Sequence, residues 1–163
     1  MALSDFEPSV LALGDALRRR GWCMAAAESC TGGLIAAACT SVAGSSDWFE
    51  RGFVTYSNAA KSELLGVDPA LVAAQGAVSE AVARAMAAGA LARAPVQLAV
   101  AVTGIAGPGG AVPGKPVGTV WLALAGAEGG VTAERLQLAG DRAAVRTQTV
   151  AVALQRLLAR ASG

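Results

Sequence analysis

Gln97-Leu-Ala-Val-Ala-Val-Thr103 decides the fold: five apolar residues stand between two polar ends with no alternation. A strand with one face in water alternates. One that is apolar throughout is covered on both faces, as in the middle of a parallel or mixed sheet. On its N-terminal side, Ser79-Glu80 opens a long helix that Pro95 ends. On its C-terminal side, Gly104–Gly118 is a glycine- and proline-rich loop, too long for a routine connection. Val117–Ala125 and Val131–Leu138 then flank Gly126–Gly130 and read as a hairpin.

Further out, Ser4-Asp-Phe-Glu7 has the capping-box pattern, and Val10, Leu13 and Leu17 share one helical face until Gly21. Trp22–Ala27 is an apolar run of strand length. Glu28-Ser-Cys-Thr-Gly-Gly33 turns it into an alanine-rich helix over 34–41, a junction whose backbone N–H groups can face an anion. Gly44-Ser45-Ser46 makes a second turn, and Gly52–Ser57 reads as a strand. Asn58 caps a helix ending at Gly66, Asp68-Pro69 opens another, and the last helix runs from Asp141. The order α-β-α-β-α-α-β-β-β-α predicts one α/β domain over residues 1–163, its mixed sheet covered by helices on both faces.

Only 15% of the residues are charged and the net charge is +1, which leaves no electrostatic footprint for nucleic acid or an anionic membrane. Arg18-Arg19-Arg20 ends the first helix, where cations complement the dipole. The longest uncharged stretches, 29–46 and 94–114, are broken by Ser, Thr, Gly or Pro and do not read as membrane spans. The acidic N-terminus lacks the basic region of a signal peptide, so a cytoplasmic protein is expected. Cys23, Cys30 and Cys39 form no Cys-x-x-Cys pair, and with no histidine in the chain no metal site is expected.

The absence of histidine also removes every Ser-His-Asp or Cys-His mechanism. A hydrolase built from this chain must pass its proton to lysine, tyrosine, a carboxylate or a metal-bound water, and no metal site is expected. Against eleven arginines there are two lysines, Lys61 and Lys115. Arginine cannot lose its proton, whereas a buried lysine can become a neutral base. Lys61 follows Tyr56, the only tyrosine, by five residues. Ser29, Ser45 and Ser46 lie in small-residue turns where a nucleophile could sit beside free amides, and composition does not choose between Ser29 and Ser46. Thr103-Gly104 ends the central strand, where open α/β sheets place ligands, and the glycine loop after it offers backbone donors to a phosphate. Arg142 and Arg146 open the last helix, where the dipole disfavours cations, which points to function for Arg142.

Ala27-Glu-Ser-Cys-Thr-Gly-Gly33, Ala43-Gly-Ser-Ser46, Trp48-Phe-Glu-Arg-Gly-Phe-Val-Thr-Tyr-Ser-Asn58 with Lys61, Gly76-Ala-Val-Ser-Glu80, Thr103-Gly-Ile-Ala-Gly-Pro108, Lys115-Pro-Val-Gly-Thr-Val-Trp121 and Gly140-Asp-Arg142 stand in that order. Together they resemble the CinA C-terminal domain family over nearly the whole chain. The resemblance implies a three-layer α/β/α sandwich, a homodimer, no cofactor, and hydrolysis of the carboxamide of nicotinamide mononucleotide to nicotinic acid mononucleotide and ammonia. It implies Ser46 as nucleophile with Lys61 and Tyr56 as activating partners, and Ser29, Thr103 and Arg142 in the pocket. Thr31 and Gly32 of the first turn, and Gly104 and Gly107 of the loop, are expected beside them as substrate contacts. The competing function is a catalytically silent nucleotide-binding or regulatory module of the same fold.

Overall fold

The computed structural model covers residues 1–163. A short 3-10 turn over Leu3–Phe6 leads into α1 (Glu7–Arg20). It is held by the Asp5 carboxylate accepting from the Ala2 amide at 2.9 Å, so the expected Ser4–Glu7 capping box does not form. Gly21, with φ 65°, closes α1 by a left-handed turn that an alanine would adopt only with strain.

β1 (Met24–Glu28) begins two residues later than the apolar run predicted. Trp22 still donates to Leu17 as part of the α1 cap, and the Cys23 amide donates to the Gln97 side chain. α2 (Leu34–Cys39) follows, then a 3-10 turn over Ser45–Asp47 and β2 (Phe49–Val54). β2 starts three residues ahead of expectation because its pairing with β1 begins at Met24↔Phe49. It also stops early, since Ser57 leaves the strand to cap α3 (Asn58–Leu65), its hydroxyl accepting from the Ala60 amide. The cap is therefore Ser57, with Asn58 the first helical residue.

α4 (Pro69–Gln75) opens on the Asp68 cap, and α5 (Glu80–Ala92) on Ser79. β3 (Leu98–Gly104) is the buried strand read from the sequence, and β4 (Thr119–Gly126) with β5 (Gly130–Gln137) form the hairpin. α6 (Arg142–Ser162) ends the chain, capped by the Asp141 carboxylate on the Ala144 amide.

The sheet order is β2-β1-β3-β4-β5, with β1 parallel to β2 and β3, and the hairpin antiparallel. Alternate residues of one strand serve opposite cores: Met24 and Ala26 pack with α1, α2 and α6, while Ala27 packs with α3, α4 and α5. Three layers result, as expected. The α5 layer uses alanines on the sheet (Ala99, Ala101, Ala123, Ala125), which lets its helix lie close. β1 crosses to β2 over one face and β2 to β3 over the other. The carboxyl ends of β1 and β3 thus diverge at a topological switch point, where such sheets hold ligands.

Candidate active site

The carboxyl ends of β1, β2 and β3 bring together residues far apart in the chain. Ser29 follows β1, with its amide still in the ladder to Val102 at 3.1 Å. Thr55 follows β2, its amide donating to the Glu28 carbonyl at 2.9 Å. Lys61 lies on α3 and turns its side chain back under these ends, 1% exposed. Its Nζ lies 3.0 Å from the Thr55 carbonyl, 3.2 Å from the Tyr56 carbonyl and 3.2 Å from Ser29 Oγ. Burial pulls the Lys61 pKa below the usual lysine value, since a desolvated ammonium is disfavoured.

Those three partners set the chemistry. Two are carbonyls, which only accept. A neutral amine keeps two N–H donors for them and has one lone pair left, which then faces the one partner able to donate, the Ser29 hydroxyl. The arrangement is that of a base addressed to a nucleophile. Cys30, beside it, is no rival: burial pushes its thiol up to about 11, so it stays protonated at neutral pH.

The turn after β1 is held by Glu28, a buried carboxylate that accepts from Thr31 Oγ1 at 2.6 Å, the Ile35 amide at 2.8 Å and the Ala36 amide at 3.0 Å. Arg146 grips the outer side of the same turn through the Cys30 and Thr31 carbonyls. Thr31 therefore serves the turn rather than facing the cavity. Gly32, at φ 58°, supplies the left-handed bend that lets the chain enter α2. Thr103 Oγ1 donates to the Ala77 carbonyl and ties the end of β3 to the α4–α5 connection.

Ser29, Cys30, Lys61, Thr103, Gly104 and Arg142 line a cavity of about 210 Å³. It shares Ala106 and Arg142 with an outer cavity of about 700 Å³ lined also by Pro108, Val117, Asp141 and Arg146. Between the two, Arg142 donates to the Gly107 carbonyl at 2.9 Å and to the Tyr56 hydroxyl at 3.0 Å. Tyr56 is 60% exposed, and its phenol meets Arg142 while its carbonyl meets Lys61.

Ser46 is not part of this assembly within one chain. It is exposed in the 3-10 turn that precedes β2, tied to α1 by Arg18 contacts to Gly44 and Asp47. Lys61 lies past the other end of that strand. Six residues at ~3.3 Å each put the two roughly 20 Å apart. Of the expected trio, one chain brings Lys61 and Tyr56 together and leaves Ser46 apart, and the serine hydroxyl beside Lys61 is that of Ser29. Glu28 and Thr55 are the participants that sequence reasoning passed over. A carboxylate directly before a glycine turn into a helix was the available signal for Glu28.

A family model described as the CinA C-terminal domain matches residues 7–161. The chain belongs to that family. A nicotinamide-nucleotide amidohydrolase PncC from Enterobacter agglomerans is 56% identical over 146 residues, covering 90% of this chain and 89% of its own. The protein of the same name from Escherichia coli K12 is 54% identical, with 89% and 88% covered. Among solved CinA-type structures, the competence/damage inducible protein CihA from Agrobacterium tumefaciens superposes with a TM-score of 0.92. It is 46% identical, and the match covers 95% of this chain and 94% of that one. No helix of this family member is long and apolar enough to cross a membrane. No group of three or more His, Cys, Asp or Glu residues is placed to hold a metal.

Proposed function

We propose that this chain hydrolyses the carboxamide of nicotinamide mononucleotide, releasing ammonia and nicotinic acid mononucleotide, with Ser29 as nucleophile and Lys61 as base. Relatives named as nicotinamide-nucleotide amidohydrolases match this chain nearly end to end, which supports that substrate. The observation that carries its mechanism is the Lys61 Nζ–Ser29 Oγ contact, in a chain without histidine.

Ser29 Oγ attacks the carboxamide carbon while its proton passes to neutral Lys61 Nζ. The tetrahedral intermediate collapses as Lys61 returns that proton to the departing –NH2, and ammonia leaves an ester on Ser29. Water then attacks the ester, giving one proton to Lys61, which restores it to Ser29 Oγ as the carboxylic acid forms and loses its remaining proton to solvent. The inner cavity suits the pyridine carboxamide. The outer cavity, with Arg142, Arg146 and the unpaired amides of Arg142 and Ala143 at the start of α6, suits the ribose phosphate.

We also infer a homodimer, supported by β2: it is an unpaired edge strand, with Val54 and Tyr56 exposed at its end. Such edges invite pairing with another strand.

Ammonia release from nicotinamide mononucleotide, free nicotinamide and the dinucleotide tests the substrate. Turnover is expected with the mononucleotide, and free nicotinamide is expected to be poor for lack of the phosphate. Ser29→Ala should lower kcat at least roughly 10³-fold, as loss of a covalent nucleophile does. Ser46→Ala should stay within a few-fold of the parent. The opposite pattern rejects Ser29, and nucleotide binding without any ammonia rejects the enzyme reading in favour of a silent module.

A further inference from the structure

Attack on a carboxamide turns its oxygen into an oxyanion, and a site that hydrolyses amides needs donors aimed at that atom. Lys61 is engaged with the proton, so the donors must come from the cavity wall. Most of its buried amides are already committed: Ser29 donates to Val102 at 3.1 Å, and Lys61 donates to Ser57 at 3.2 Å. Two are not. Cys30 and Ala106 line the cavity at 6% and 5% exposure; the Ala106 amide donates to no group of the protein, and the Cys30 amide has only the weak acceptor of its own thiol sulfur. Buried N–H groups without an oxygen acceptor are rare in folded proteins, and two on the wall of one small cavity call for a ligand atom.

Their direction follows from peptide planarity, which sets each N–H opposite the carbonyl of the preceding residue. The Ser29 carbonyl points into the turn, where Gly32 donates to it at 3.0 Å, so the Cys30 N–H points out of the turn. The Ile105 carbonyl points to Gly118 at 2.8 Å, so the Ala106 N–H points away from β4. One donor follows the nucleophile in sequence. The other comes from the loop after the neighbouring strand.

Resting on Ser29 as the nucleophile, we propose that the Cys30 and Ala106 amides form the oxyanion cradle, and that Glu28 positions the first of them. The Glu28 carboxylate holds the Thr31 hydroxyl and the first amides of α2, which leaves the peptide between Ser29 and Cys30 one orientation. Glu28 touches no substrate atom. It acts through the turn.

Replacing Ala106 by lactic acid through nonsense suppression removes the N–H and keeps the methyl group. The same replacement at position 30, made in a Cys30→Ala background, does so for the first donor. Each ester should lower kcat on nicotinamide mononucleotide by about 10²-fold, as loss of one oxyanion donor does, with KM changed less than about threefold. Unchanged kcat at either position overturns the two-donor cradle. Should an ester variant not fold, Glu28→Gln provides the second arm, since it sets an –NH2 group where the turn needs an acceptor. Its kcat should fall about tenfold or more. KM and the midpoint of the pH profile should stay in place, and Glu28→Asp should recover part of the loss. A kcat loss no larger than the loss of folded protein overturns the role of Glu28. Activity remaining in Ser29→Ala would remove the nucleophile reading instead, whereas esters without effect in an enzyme that Ser29→Ala silences remove only the cradle.

Discussion

At the scale of the residue, Lys61 carries two consequences of burial. As a base it works only when neutral, so kcat/KM should rise with pH through a midpoint below the ordinary lysine value, because desolvation lowers its pKa. Lys61→Arg keeps the charge yet cannot accept the proton, and should be nearly as inactive as Lys61→Ala. An arginine variant with parental kcat and an unmoved pH profile would show that Lys61 acts through charge alone. The second consequence is stability. Between the lowered folded pKa and the unfolded value near 10.4, the unfolded chain holds the extra proton at this site, so the Lys61 contribution to stability rises with pH across that window. The buried Cys30 and Cys39 thiols, whose pKa values burial raises, contribute the opposite slope in parent and variant alike, so urea unfolding at several pH values should show the parent gaining stability relative to Lys61→Met across that window. Lys61 was legible in the sequence because lysine is so scarce among the arginines. The choice of serine was harder, since Ser29 and Ser46 occupy similar small-residue turns. Their difference is positional: Ser29 follows a strand, as the Lys61 segment does, whereas Ser46 precedes one. In parallel strands only the former share an end of the sheet.

At the scale of the element, close approach decides more than propensity. Gly89 lies inside α5, where alanine is ordinarily better by about 1 kcal/mol. A Cβ at Gly89 would overlap the Leu65 carbonyl oxygen at the end of α3. Backbone cannot yield as a side-chain tip does, so Gly89→Ala should destabilise by roughly 1–3 kcal/mol despite the propensity gain. A thermal melt checks this, and an unchanged or higher Tm would mean that α3 and α5 can separate at no cost. Because α3 carries Lys61, the same variant should also lose activity beyond its loss of folded fraction. Element types and order were readable from periodicity, as β3 and the hairpin demonstrate. Boundaries were not, where tertiary partners set them: β1 starts at Met24 because the Gln97 side chain takes the Cys23 amide, a bond between positions 74 residues apart.

At the scale of the whole molecule, the inferred dimer bears on the position of Ser46. β2 is the only parallel strand at an edge, and its outer side has no partner within the chain. Two copies joined antiparallel along it, about a two-fold between Arg51 and Gly52, would set the Ser46 turn of each against the Tyr56–Ser57 segment of the other. No feature of a single sequence displays such a juxtaposition, since it depends on an axis outside the chain. The mechanism drawn above needs only Ser29 and Lys61 of one copy. Light scattering should find a dimer at assay concentrations, and a monomer with full activity would reject the inferred pairing. Mixing separately purified Ser46→Ala and Lys61→Ala chains, unfolded and refolded together, then separates the two roles for Ser46. If each site is complete within one copy, Ser46→Ala alone is active and the mixture shows only its diluted contribution. If the partner's serine is the nucleophile, both parents are dead. Random pairing then places half the chains in mixed dimers with one intact site of two, and returns about a quarter of parental activity. The Lys61–Ser29 contact leads us to expect the first result. The second would move the nucleophile to Ser46 while leaving Lys61 as its base.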